Sequence, residues 1–398
     1  MQENQLLKRA LILDQHRQIV AYQCVTAPET TTAINHGASI MTTLVAALLP
    51  DQDADTFTPA PDLGYFLCLP VQTLDLGKLA SLSIPVVVCF QAGANLSVDL
   101  AVLEGLQQHK LTTCLHLPSL NLLAPQHLQA NYIQIEGWQT IDEVIAAIEA
   151  HPALLSKLIM AGTQTTKDFD TLRQVGIQWF SGSFYLQPPA EAGKVTHPGF
   201  ESVLNLLNLV SQDADNKTIE QGFKRDTTLS YKLLRYINSV GFGLSCEVQS
   251  LNHALTILGR QQLYRWLTLL LVTAGNHEAC PALMKASIIR GRFMELLGEP
   301  FFDRHGKDNL FVVGVFSLLD RMLNQPMPEV LEKLKLPEAI VEALTTRSGI
   351  YAPFLNLILA LETLDSQSAA LAEALQLQAA QVNQCHLEAI RWAEAVMH

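Results

Sequence analysis

Residues 233–267 read LLRYINSVGFGLSCEVQSLNHALTILGRQQLYRWL. Apolar residues recur here every three to four positions, the period of helices that keep one face in a core. Tyr236, Ile237, Leu258, Leu263, Trp266, Leu267 and Leu270 fall on such faces and are expected to be buried. Asn238 and Ser239, followed by VGFG, suit the end of a helix, where Gly241 or Gly243 could take positive φ. Gly259 separates a helix over Leu251–Leu258 from another over Gln261–Thr273. Arg235 and Arg260 are left as the residues for surface contact.

The helical period continues on both sides. Upstream it predicts helices at Phe200–Ser211, Ile219–Lys224 and Thr228–Ser239. Downstream it predicts Leu283–Leu297, Leu310–Leu323, Glu329–Lys335, Pro337–Thr345, Ala352–Leu364, Ser366–Leu375 and Ala379–Met397. Residues 200–398 therefore read as one all-helical domain. Gln187–His197, rich in Pro, Gly and Ala, is the natural connection, with 191–199 as the linker proper.

Before the linker the pattern changes to short apolar strands alternating with helices. Ala10–Tyr22 holds two apolar runs broken by Gln15–Gln18, a hairpin-like start. Strands follow at Gly64–Leu69, Pro85–Phe90, Thr112–Leu117, Tyr132–Glu136, Leu158–Ala161 and Trp179–Phe180. Helices are predicted at Ser39–Leu49, Asp75–Ala80, Val98–His109, Ile141–Ala150 and Lys167–Val175. Such alternation favours parallel strands with crossover helices, and the number of units suggests a barrel over residues 1–190. The fold class is thus α/β followed by all-α.

Composition narrows the function classes. The chain has 398 residues, of which 49% are apolar and 16% charged, enough for two or three domains that each bury a core. A net charge of -12 without a basic stripe argues against nucleic acid, whose phosphates call for clustered Lys and Arg. MQENQLLKRALILDQ lacks the apolar centre and cleavage site of a secretory signal, and no apolar run approaches the roughly 20 residues that span a bilayer. A cytoplasmic location without membrane attachment is the expectation. Seven cysteines contain no CxxC, and Cys24, Cys68, Cys89 and Cys114 sit in strand-like runs, as reduced core thiols or, alternatively, redox sensors. His253 and His277 are read as capped or surface histidines. No metal and no cofactor is expected.

The 233–267 stretch resembles the signature of HDOD domains, catalytically silent relatives of the metal-dependent HD phosphohydrolases. The matching residues are Leu234, Arg235, Tyr236, Ile237, Asn238 and Ser239, then Leu251, Ala254, Leu258, Gly259 and Trp266. The helix LFVVGVFSLLDRML resembles the one that carries the His-Asp pair of active HD enzymes. Here Ser317 and Leu318 stand at that pair, and Asp320 has no histidine partner.

Residues 7–190 resemble an EAL domain, the barrel that hydrolyses cyclic di-GMP in active members. IVAYQCV (19–25), ANYIQIEG (130–137) and IQWFSGSFYLQPP (177–189) carry the resemblance. It implies that the family's metal-binding set is lost. Gln23 replaces the first-strand Glu, Cys68 the second-strand Asn and Cys89 the third-strand Glu. His116 and Leu117 fall at the acidic pair, and Gln134 at the fifth-strand Lys, with Glu136 nearby. Ala161 replaces a later Glu, and Ser181 a Gln. Two divalent cations about 4 Å apart repel strongly and require several carboxylates between them. The resemblance therefore implies a non-enzymatic signalling protein acting through a protein partner or self-association. Nucleotide binding without hydrolysis, and residual metal-dependent phosphodiesterase activity, are the alternatives.

Overall fold

The computed structural model describes residues 6–26, 64–68, 76–80, 85–92, 96–187, 198–238, 248–273 and 280–397. The helix predicted at Ser39–Leu49, most of the linker, and Ser239, Gly241, Gly243, Cys246 and His277 lie outside them.

The chain begins with a hairpin of β1 (Leu7–Leu13) and β2 (Ile19–Thr26), paired antiparallel. Asp14 makes the turn: one carboxylate oxygen accepts from the amides of His16 and Gln18, both at 2.8 Å. Six further strands follow: β3 (Gly64–Cys68), β4 (Val86–Gln91), β5 (Thr112–Leu117), β6 (Tyr132–Ile135), β7 (Leu158–Met160) and β8 (Trp179–Phe180). From β2 to β8 each neighbour is parallel, and β8 returns to pair antiparallel with β1 through Leu13 and Phe180. The sheet is a closed eight-stranded barrel followed by an all-helical region, the class the two sequence patterns imply.

Local chemistry places the crossover helices. Thr140 caps Ile141–Ala150 by accepting from the Glu143 amide, and Thr165 and Asp168 form a reciprocal capping box at Thr166–Gln174. Phe169 of that helix packs on Phe180 and Phe184, with ring centroids 4.7 and 4.6 Å apart. Gly182 follows β8 at φ 150°, and a Cβ there would lie 2.0 Å from the Thr163 carbonyl oxygen, so only glycine lets the two segments meet.

Two compact units divide the chain, and their limits differ from the sequence boundaries. The first is residues 1–190 with 280–285 and 356–398; the second is 191–279 with 286–355. The helical domain read over 200–398 therefore loses its last segment to the barrel unit. The reason lies in the hairpin. A strand reached by a two-strand turn brings no crossover helix to cover its outer face, so Arg9 and Tyr22 need another cover. Residues 356–398 supply it. The Leu7 amide donates to Asn383 Oδ1 at 2.7 Å, Arg9 pairs with Glu362 at 2.9 Å, and the Tyr22 hydroxyl donates to Glu394 at 2.6 Å. Lys285 Nζ also pairs with Glu394, at 2.8 Å.

The second unit is all helical among its described residues. Leu251–Thr273 is interrupted at Gly259 (φ 70°, ψ 170°), where the sequence placed a break. The single helix predicted over Leu310–Leu323 is instead Arg304–Phe316 and Leu319–Leu323, parted at Leu318 (φ -119°, ψ 9°). The Ser317 hydroxyl explains the stop, since it donates to the Gly314 carbonyl at 2.7 Å and accepts from Arg290 at 3.0 Å. Gly314 also lets this helix meet Pro281–Leu297, because a Cβ there would lie 2.6 Å from the Arg290 backbone. Among the described residues no helix is long and apolar enough to cross a membrane.

Candidate functional site at the barrel mouth

Because β2 to β8 all run the same way, their C-terminal ends open on one mouth. Side chains alternate between the two faces of a strand, and the inner set follows from the core. Ile12, Ala21, Phe66, Val87, Cys89, Cys114 and Ile159 pack together inside, with Cys68, Tyr132 and Trp179 against them. By that parity Gln23, Cys68, Cys89, His116 and Gln134 point inward, while Glu136, Ala161 and Ser181 directly follow the ends of β6, β7 and β8. Leu117 is the exception. It lies one residue past His116, on the outer face, and is fully buried there.

The inward positions carry little charge. Gln23 and Gln134, 111 residues apart, form a reciprocal amide pair: Gln23 Nε2 donates to Gln134 Oε1 at 3.1 Å, and Gln134 Nε2 to Gln23 Oε1 at 3.3 Å. Both are buried. Gln23 Nε2 also reaches Cys68 Sγ at 3.1 Å. Glu136 meets His116 Nε2 at 3.1 Å, but its side chain is 63% exposed. Ala161 offers no side-chain donor, and its carbonyl accepts from Trp138 Nε1 at 3.2 Å. Ser181 is buried beside Gly182, and its carbonyl accepts from the Thr163 amide at 3.1 Å. Among the described residues no group of three or more His, Cys, Asp or Glu could hold a metal ion. Below the mouth Phe66 and Tyr132 close the interior, ring centroids 5.4 Å apart.

In the helical unit the motif residues separate by role. Ile237, Leu258, Leu263, Trp266 and Leu267 are buried as predicted. Tyr236 is not. Its ring stacks on Trp266 at 5.7 Å yet stays 37% exposed. Arg235 is exposed, whereas Arg260 is half-buried rather than free on the surface. Asn238 ends its helix and bonds to Val248, ten residues on: its Nδ2 donates to the Val248 carbonyl at 2.9 Å, and its Oδ1 accepts from the Val248 amide at 2.8 Å. Asn238→Ala should remove both bonds and lower the melting free energy by about 1–2 kcal/mol, at 0.5–1.5 kcal/mol for each neutral bond. Faster amide exchange at Val248 would locate the loss.

Sequence reasoning missed a charged cluster in this unit. Arg265 forks onto Glu295 (2.5 and 2.7 Å), Arg292 joins it at 2.9 Å, and the Arg265 guanidinium lies 4.1 Å from the Phe311 ring centre. Burial alone would raise the Glu295 carboxyl, but the two arginines hold it below the usual carboxylate range. No spacing along the chain signals a contact between residues 265 and 295. At the expected His-Asp position, Ser317 is a buried hydroxyl bound to Arg290, and Leu318 is buried and apolar.

The HDOD domain family matches residues 200–344. The uncharacterized protein YuxH of Bacillus subtilis is 28% identical over 238 residues, 59% of this chain and 58% of that protein. The cyclic di-GMP phosphodiesterase CdgJ of Vibrio cholerae is 27% identical over 205 residues, 51% of this chain and 48% of that protein. The chain thus spans about half the length of these curated relatives. A solved PaMucR phosphodiesterase in complex with c-di-GMP covers 45% of this chain at 12% identity, with a TM-score of 0.33.

Proposed function

We propose that the protein is a signalling component of the cyclic di-GMP system that works by contact with a protein partner rather than by turnover, its barrel being an EAL domain that has lost its metal site. The Gln23–Gln134 pair carries this reading. Gln23 stands where the resemblance expects a metal-binding Glu, and its amide is satisfied by that of Gln134, at the expected Lys position, so neither offers a carboxylate oxygen to a metal. Glu136 is a single carboxylate, turned largely to solvent, and cannot offset the charge of two divalent cations. The helical unit fits the same reading: Ser317 and Leu318 offer no metal ligands where an HD enzyme has its pair.

A second reading, a sensor that binds cyclic di-GMP without cleaving it, is favoured by the His116–Glu136 pair, which leaves hydrogen-bonding groups at the mouth, and by the name of the CdgJ relative. One experiment tests both. Purified protein is incubated with cyclic di-GMP and manganese, the linear product is followed by chromatography, and the same mixture is titrated calorimetrically. The expected result is no product and no saturable heat, after which affinity capture should yield a defined partner. Metal-dependent product would sink the proposal; saturable heat without product would replace it by the sensor.

A further inference from the structure

Three thiols stand side by side across β3, β4 and β5. Cys68 is the register partner of Cys89, and Cys89 of Cys114. All three share the inner face, where Cys89 and Cys114 are part of the core and Cys68 packs against it. Cys68 is half-buried at the mouth; the other two are buried. Cys89 is within hydrogen-bonding contact of both neighbours. Adjacent strands lie about 4.8 Å apart, inside the roughly 4.4–6.8 Å between Cα atoms that a disulfide bridges. Register-paired side chains on one face project in the same direction, so both thiols face the same space inside the mouth. The Gln23 amide Nε2 already rests 3.1 Å from Cys68 Sγ.

We propose that Cys68 and Cys89 are a peroxide-responsive thiol pair that closes to a disulfide inside the barrel mouth. Cys68, as thiolate, attacks one oxygen of hydrogen peroxide; the O–O bond breaks, and the departing hydroxide takes up a proton to become water. The resulting sulfenic acid is attacked by the Cys89 sulfur. An S–S bond forms, the S–O bond breaks, and a second water leaves with the Cys89 proton. One peroxide is reduced to two waters while two thiols become one disulfide. The order of attack follows from the setting: burial pushes the Cys89 thiol up and away from ionisation, whereas Cys68 faces the opening. The inference stands on the thiol row and not on the absence of turnover.

The test treats the full reduced chain with a several-fold molar excess of hydrogen peroxide, blocks the remaining thiols by alkylation and maps the peptides by mass spectrometry. A Cys68–Cys89 linkage, lighter by two hydrogens and reversed by a thiol reductant, is the expected result. It should be absent in Cys68→Ser and Cys89→Ser, and in the latter Cys68 should run on to sulfinic acid. If Cys89→Ser melts early, Cys89→Ala keeps the comparison. The proposal is overturned if wild-type Cys68 collects as sulfinic acid, links to a different cysteine, or stays reduced while exposed methionines oxidise.

Discussion

Glu362→Ala is expected to destabilise the barrel unit by about 3–5 kcal/mol, the cost of leaving a buried charge without its partner. The Arg9 side chain is 2% exposed and that of Glu362 8%, so water cannot take over the lost contact. Against a total stability of about 5–15 kcal/mol for a typical domain, the change takes much of the margin. Urea unfolding read separately on barrel and helical signals should show the barrel transition moving first. Arg9→Met combined with Glu362→Leu should recover most of the loss, because two apolar groups of similar size need no counter-charge. A fragment ending at residue 190 should do worse than the point variant, since it also lacks Asn383 and Glu394, the partners of Leu7 and Tyr22. Equal stability of the fragment and the full chain would show that residues 356–398 are ornamental.

Stability should also fall as the pH drops below about 6.5, with His386 as a principal source. His386 is fully buried, and desolvation, followed by the nearby Arg9 charge, holds its imidazole well below the usual histidine range; a backbone hydrogen bond with Leu7 opposes this weakly. In the unfolded chain the same side chain titrates near 6.5. Above that value neither state binds the proton and His386 adds no slope. As the pH falls through it, the unfolded state is protonated while the folded state is not, so unfolding becomes easier by up to about 1.4 kcal/mol per pH unit. The loss levels off once the folded imidazole titrates. Urea midpoints measured from pH 7.5 to 5.0 should fall for the wild type and fall less steeply for His386→Gln. Parallel curves for the two proteins would assign the slope to other groups.

Much of the fold was legible because it rests on short-range pattern. Alternating strands and helices in the first half, and a sustained helical period in the second, were enough for barrel and helices, and Gly259 marked its break through its own backbone freedom. The site was legible in part. Eight of the nine barrel positions, all but Glu136, were legible as lacking a carboxylate simply by identity, but the Gln23–Gln134 bond joins strands 111 residues apart and needs the closed barrel to exist. Of the adjacent pair His116 and Leu117 only His116 reaches the mouth, because successive side chains along β5 alternate between its two faces. The docking of residues 356–398 was invisible for a plainer reason. An amphipathic helix such as Ala379–Met397 displays its apolar stripe without naming the surface that will cover it, and Tyr236 shows the converse, an aromatic at helical spacing that the packing leaves at the rim.

The pairing of Arg9 with Glu362 joins residues 353 positions apart, and it sets a timetable for synthesis. At about 5–20 residues per second on the ribosome, the hairpin that opens the barrel waits roughly 20–70 s for the helices that cover it. Through that interval an apolar strand face stands open in the nascent chain. Slow elongation should therefore raise the demand for chaperones that shield such faces, and the barrel, although made first, should be the later of the two units to mature.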